Sequence, residues 1–282
     1  MTSRRPYPSD LSDARWALIE PTLSAWRAAR MQARAQAGIT VADPSTSLRD
    51  IFDAILYVNR TGIVWKYLPH DFPPRTTVYY YFSAWAKEDI FEQLGIDLTG
   101  LARTREGRNP KPSACVIDSQ SVKTSTNVPL DTQGIDAAKK IVDRKRGILT
   151  DTLGLLLAIT VAAADLSDNA IGKTLLTQAS RTYPTITKAW VDTGFKNAAV
   201  EHGAHLGIDV EVVARRSNQP GFHIVKRRWV VERTLGWLML HRRLARDYET
   251  RPDHAAAMIR LASIDNLTRR ITGETTPTWR YT

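Results

Sequence analysis

Apolar positions recur along this chain with two different periods, a helical one up to about residue 95 and a strand-like one after about residue 113. Leu48, Ile51, Ile55 and Val58 stand three or four apart, and Ser47 ahead of them predicts an N-cap. Thr61-Gly62 predicts the end of that helix. Ser12 predicts the cap of an earlier helix from Asp13, which Pro21 is expected to interrupt. Residues 22–38 place Arg27, Arg30 and Arg34 among alanines and end at Gly38, and the polar stretch 39–47 predicts a loop. Pro69, Pro73 and Pro74 enforce an extended connection, after which Thr76 or Thr77 predicts the cap of a third helix over 78–85.

That third element carries Tyr79, Tyr80, Tyr81, Phe82 and Trp85. Helix, turn and aromatic-rich helix resemble a helix-turn-helix module, although the same aromatics would also fill a small core. A polar, basic, proline-containing stretch over 101–113 then reads as a linker. Beyond it, strands are predicted at 114–118, roughly 139–151, 154–163, 188–191 and 209–214, and helices at roughly 168–180, 195–206 and 228–246. Three strands followed by alternating helices and strands fit a ribonuclease-H-like α/β fold, an antiparallel meander continued by crossover units. The expected organisation is a helical, helix-turn-helix-like DNA-binding domain over 1–100, the linker, a mixed-sheet catalytic domain over 114–272 and a tail over 273–282.

Composition narrows the function. In 282 residues, 43% are hydrophobic, enough for a substantial core. Net charge is +10, which favours a polyanionic partner, most often nucleic acid. Cys115 is the one cysteine, so no intrachain disulfide can form, and without a CxxC pair no structural zinc site is expected. Its apolar neighbours mark it as a small core residue. The longest apolar run, 153–164, is too short to cross a bilayer, and no apolar leader opens the chain. A cytoplasmic, nucleoid-associated protein without membrane partners is expected.

Three acids carry the candidate chemistry. Asp118 and Asp192 each close an apolar, strand-like run, and the carboxyl ends of such strands are where open α/β sheets build sites. Glu232 lies in the helical stretch 228–246, in a charged seam with Arg228, Arg243 and Arg246 between two apolar sides. The alternative for Glu232 is a solvated (i, i+4) pair with Arg228. Three hard carboxylates suffice for magnesium, and two such ions catalyse phosphoryl transfer. Between 226 and 246, Lys226, Arg227, Arg228, Arg233, Arg242, Arg243 and Arg246 oppose only Glu232. Lys139, Lys140, Arg144, Lys145 and Arg146 form a second basic cluster, and Lys123 follows Asp118 by five residues. The candidate phosphate-contacting set is Lys123, Lys145, Arg146, Arg227, Arg228, Arg233, Arg242, Arg243 and Arg246. Ser119 and Ser121 have no histidine near them in sequence to serve as nucleophile partners.

The stretch Cys115-Val-Ile-Asp118-Ser-Gln-Ser-Val-Lys123 resembles the first-aspartate motif of bacterial insertion-sequence transposases of the DDE class. Trp190-Val-Asp192-Thr-Gly-Phe-Lys196 is similar to their second, and the stretch from Lys226 to Glu249 to the glutamate motif of the family named after insertion sequence five. Arg60–Pro69, Phe72–Tyr79 and Asp151–Leu157 carry the likeness further, so that it spans roughly 11–271. The resemblance implies a helical module that binds terminal inverted repeats. It implies a catalytic domain in which Asp118, Asp192 and Glu232 hold two magnesium or manganese ions. It also implies double-stranded DNA as substrate, in repeat ends and target, with a homodimer or higher oligomer in the DNA complex. Hydrolysis at the element end and direct transesterification into target DNA would follow. The chain departs from the family at Gly147, where a histidine is usual, and at Met239, where a basic residue is usual. Competing readings are a DNA-binding repressor with a weakened catalytic domain, and a ribonuclease-H-like nuclease or resolvase. A tyrosine recombinase is disfavoured because Leu244 stands three residues after His241, where an arginine is needed.

Overall fold

In the computed structural model, residues 4–39, 45–136, 140–213, 228–276 and 278 are described. Ser12 opens α1 (Asp13–Gln36) by accepting the Arg15 N–H. Pro21 does not interrupt this helix. It lies on the exposed side, and so does Ala17, whose carbonyl a proline leaves without its helical partner. Ser47 caps α2 (Leu48–Thr61), which ends at Gly62 with φ 76°, a left-handed conformation that suits glycine. Helix α3 (Arg75–Lys87) begins directly after Pro74, whose carbonyl takes the N–H groups of Thr77 and Val78, rather than at a threonine cap. Helix α4 (Ile90–Arg105) occupies the first part of the expected linker. Its Arg103 forms a buried ion pair with Asp151.

The aromatic residues of this layer mostly build core. Trp85 packs against Trp26 at 5.9 Å and Phe52 at 6.1 Å, and Phe82 against Phe91 at 6.0 Å between ring centroids. Full burial of each such ring is worth about 1.5–3 kcal/mol. Tyr79 and Tyr80 on α3 remain exposed.

The remainder is a mixed sheet. Strand β1 (Ala114–Lys123) pairs antiparallel with β3 (Ile141–Asp151), and β3 with β4 (Leu156–Ala163). The short β2 (Gly134–Asp136) also pairs with β3. On its other side β1 runs parallel to β5 (Lys188–Val191), and β5 parallel to β6 (Asp209–Val212). Helices α5 (Asp168–Thr182) and α6 (Ala198–His205) supply the crossovers. This is the ribonuclease-H-like order expected from the sequence. The predicted 228–246 helix is shorter. α7 (Trp229–Leu238) gives way to a 3₁₀ turn at Arg242–Leu244, and α8 (Pro252–Thr272) follows.

Period-two alternation assigns each strand residue to a face. Cys115, Ile117 and Leu149 face α5 and α6. Val116 and Ile148 face the opposite side, in one core with α1–α4, α7 and α8. The helical layer and the sheet therefore share that core, and α8, from the far end of the chain, packs among the N-terminal helices. Among the described residues, no helix is long and apolar enough to cross a membrane.

Candidate active site

Asp118 does not close its strand; β1 continues to Lys123. Its parallel partner stops, however, with the last β1–β5 pair at Val116 and Trp190. Past that point β1 pairs only with β3, and a notch opens beside it. Asp118 stands at the start of the notch, and Asp192 directly follows the end of β5. Alternation puts Asp118 on the side of Val116, facing α7.

Both aspartates are held in the same manner. The Ser119 N–H donates to Asp118 Oδ1 at 2.8 Å, and the Gly194 N–H donates to Asp192 Oδ1 at 2.8 Å. Each Oδ2 is left to face inward. There Arg228, at the N-terminus of α7, places Nη2 4.0 Å from Asp118 Oδ2, 3.7 Å from Asp192 Oδ2 and 3.8 Å from Glu232 Oε1. One nitrogen thus touches all three acids, so any two of these oxygens lie within about 8 Å of each other, compatible with a pair of ions roughly 3.5–4 Å apart. Burial pushes the Asp118 carboxyl up to about 6. The Ser119 N–H and Arg228 oppose the shift, and Asp192 and Glu232 reinforce it.

The donor set suits a hard divalent cation: carboxylate oxygens from three elements turned toward one positive group. Among the described residues no three acids, histidines or cysteines form a ready cage for a metal. The guanidinium of Arg228 stands between the oxygens instead, and its Nε has no hydrogen-bond partner although buried.

The basic residues divide by burial. Arg146 is buried and donates to the carbonyls of Leu244 and Arg246. Arg243 is buried against Glu249 and the Ile63 carbonyl. These two brace the fold, with their guanidinium groups turned to protein acceptors rather than to solvent. Lys145 is committed to Asp168 at 3.2 Å and to the Leu166 carbonyl at 2.8 Å. Arg233 lies between Trp229 and Trp237, 4.4 and 4.5 Å from their ring centroids, and donates to the Leu153 carbonyl. Lys123, Arg242 and Arg246 are exposed. The Asp247 N–H donates to the Lys123 carbonyl, which brings Arg246 beside Lys123. Arg227 lies outside the described residues, as do Lys226 and Lys139. Cys115 is fully buried and its thiol is pushed up by burial, as a core residue's should be.

Residues 109–267, more than half of the chain, match the transposase DDE domain family. The chain belongs to the DDE transposases. Residues 11–95 match a family of candidate transposases of the IS4/5 type, so both parts of the transposase point the same way. No curated protein matches it. One acid of the transposase escaped the sequence reading. Asp168 accepts the Ser119 hydroxyl at 2.8 Å, one residue along β1 from Asp118. The sequence offers only a helix-start acid after Ser167, which is commonplace.

Proposed function

We propose that this transposase cleaves DNA at the ends of its element and joins those ends to target DNA, with Asp118, Asp192 and Glu232 as its catalytic acids. The observation that carries the proposal is the convergence of all three carboxylates on Arg228 Nη2, each within 4.0 Å. Divalent magnesium or manganese, two ions per site, would supply Lewis-acid activation of the attacking oxygen and stabilisation of the leaving oxygen. Asp118 and Asp192 present rigid Oδ2 atoms because their Oδ1 atoms are held by backbone N–H groups. Glu232 approaches from a facing helix. Arg228 neutralises the acids and is placed to meet a phosphate entering the notch.

Two in-line displacements follow. Water attacks the phosphodiester at the element end, and the bond to the 3′ oxygen breaks to leave a 3′ hydroxyl. That hydroxyl then attacks a target phosphodiester and displaces a second 3′ oxygen, with no covalent protein–DNA intermediate. Exposed Lys123, Arg242 and Arg246, with Arg227, contact the backbone, and the helical layer reads the terminal repeats. Pairing of two ends requires a dimer or larger assembly on DNA.

The test uses DNA carrying the flanks of the coding region, with Mg2+ or Mn2+. Asp118→Asn, Asp192→Asn and Glu232→Gln are each expected to reduce cleavage to the metal-free level while gel-shift affinity changes less than about threefold. Full cleavage by any one of them removes that acid from the site. Binding of the flanks without cleavage by the unaltered protein would instead support a repressor.

A further inference from the structure

Asp168 is the first residue of α5, after the Ser167 cap, whose hydroxyl accepts the Ala170 N–H. Its carboxylate turns inward to the sheet. Oδ1 accepts the Ser119 hydroxyl at 2.8 Å and lies 3.2 Å from Lys145 Nζ. One oxygen therefore joins α5, β1 and β3. On the other side, a Cβ built on Gly194 would stand 2.7 Å from Asp168 Oδ2 and 3.0 Å from Asp192 Oδ1. Both carboxylates lie close to this glycine, leaving no room for a side chain.

Two of the residues beside Asp168, the hydrogen-bonded Ser119 and the closely packed Gly194, are the ones that hold the two aspartates. Ser119 donates its N–H to Asp118 Oδ1, and Gly194 donates its N–H to Asp192 Oδ1. We propose that Asp168 is a positioning residue, which fixes Ser119 and Gly194 and through them aims both Oδ2 atoms at the cation site. This rests on the reading of Asp118 and Asp192 as metal ligands. Two facts set the role apart from those of plain cap and additional ligand. The capping is done by Ser167, and Asp168 Oδ1 is engaged by a hydroxyl and an ammonium on the α5 side of the sheet. Lys145, read from sequence as a phosphate contact, becomes the cation that balances Asp168.

The test is Mn2+ titration of the full chain without DNA, followed by thermal shift or calorimetry. Asp168→Ala is expected to weaken Mn2+ binding about 10–100-fold, the usual consequence of losing an outer-shell partner. Asp168→Asn keeps an oxygen to accept the Ser119 hydroxyl and should retain most of the affinity. Ser119→Ala should reproduce part of the loss, and the double variant Asp168→Ala/Ser119→Ala should be no weaker than Asp168→Ala, because both act through one path. If Asp168→Ala lowers the melting temperature while the Mn2+ midpoint stays put, the residue is structural and the proposal fails. Should Asp168→Ala not fold, an unchanged midpoint in Ser119→Ala overturns it equally. No Mn2+ binding by the unaltered protein would bring down the metal site itself, and this inference with it. Binding that Asp118→Asn abolishes but Asp168→Ala leaves intact refutes the positioning role alone.

Discussion

At the residue scale, Gly147 shows how a sequence departure acquires physical meaning. It pairs with Ser119 across β1 and β3, and therefore faces α5 rather than Arg228. A Cβ there would lie 2.2 Å from Ile171 Cγ2 and 3.1 Å from both Leu175 Cδ1 and Thr160 Cγ2. The space that a histidine would need is occupied by the helix. Gly147→Ala is expected to destabilise by about 1–3 kcal/mol in urea unfolding, and Gly147→His by more. Ile171→Ala removes the clashing methyl, so its combination with Gly147→Ala should cost less than the two separate losses together. Additive losses would show that α5 yields freely. The arginines teach the complementary lesson. Arg144 and Arg146 sit on one side of β3 and meet a buried segment containing Asp247 and Glu249, while Lys145 points the other way. A dense basic run looks alike in sequence whether it faces water or carboxylates. The three acids were legible because each stands in a distinctive local pattern, whereas Asp168 gains its role only from neighbours more than 20 residues away in sequence, Ser119, Lys145 and Gly194.

At the element scale, what the sequence revealed depends on the local signal an element carries: an apolar run, a helical period or a cap. Helices α2 and α5 show apolar positions at helical spacing, and strands β1 and β5, buried on both faces, carry short apolar runs, so these four were predicted. Helix α8 is buried over most of its circumference, and its narrow polar stripe, Arg260, Ser263, Asn266 and Arg270, is half-buried as well, so the apolar period is weak. Helix α7 stops early because the chain turns at Met239, and Arg243 and Leu244 are drawn inward. A pH-sensitive joint ties α2 to the N-terminal segment. Asp53 is buried and accepts the Leu11 N–H at 2.9 Å. Burial raises its carboxyl from 3.8 to about 7, against the pull of the Leu11 N–H, Arg49 and Arg4. The folded state thus holds this proton more tightly than the unfolded chain does. The contribution is fully present below pH 3.8 and is lost as pH rises to about 7. Asp53→Asn keeps the acceptor for Leu11 and removes the charge. Its stability relative to the unaltered protein should rise between pH 4 and 7 and level off above, measured by urea unfolding at each pH. A constant difference across that range would mean that Asp53 stays ionised.

At the scale of the whole molecule, the expected boundary between helical and catalytic parts is crossed by one core and by one buried charge network. Asp265 on α8 pairs with Arg15 on α1, lies 3.4 Å from Arg269 Nε and stands 3.5 Å from His241 Nε2. Arg15 also donates to Thr268 at 3.1 Å. Burial would raise the Asp265 carboxyl, but the surrounding cations, Arg60 included, hold it below its ordinary value. His241, lowered to about 4 mainly by burial, is neutral at pH 7, so the arginines supply the compensation there. Asp265 is thus the point where the first helix, the second helix and the last one meet beside His241, just after α7. Removing one partner of a buried ion pair leaves uncompensated charge and typically costs 3–5 kcal/mol. Asp265→Ala is therefore expected to lower the melting temperature by about 10 °C at pH 7. Because the helical layer shares its core with the sheet, fluorescence from the tryptophans of the helical layer and circular dichroism of the whole chain should shift together in one transition. Trp26, Trp65 and Trp85 report from that layer, while Trp190, Trp229 and Trp237 lie near the site. If the two probes separated, with the sheet melting at its original temperature, the layers would be independent domains after all. Coincident transitions would mean that the fold which aims Glu232 at Asp118 and Asp192 is only as stable as the junction at Asp265.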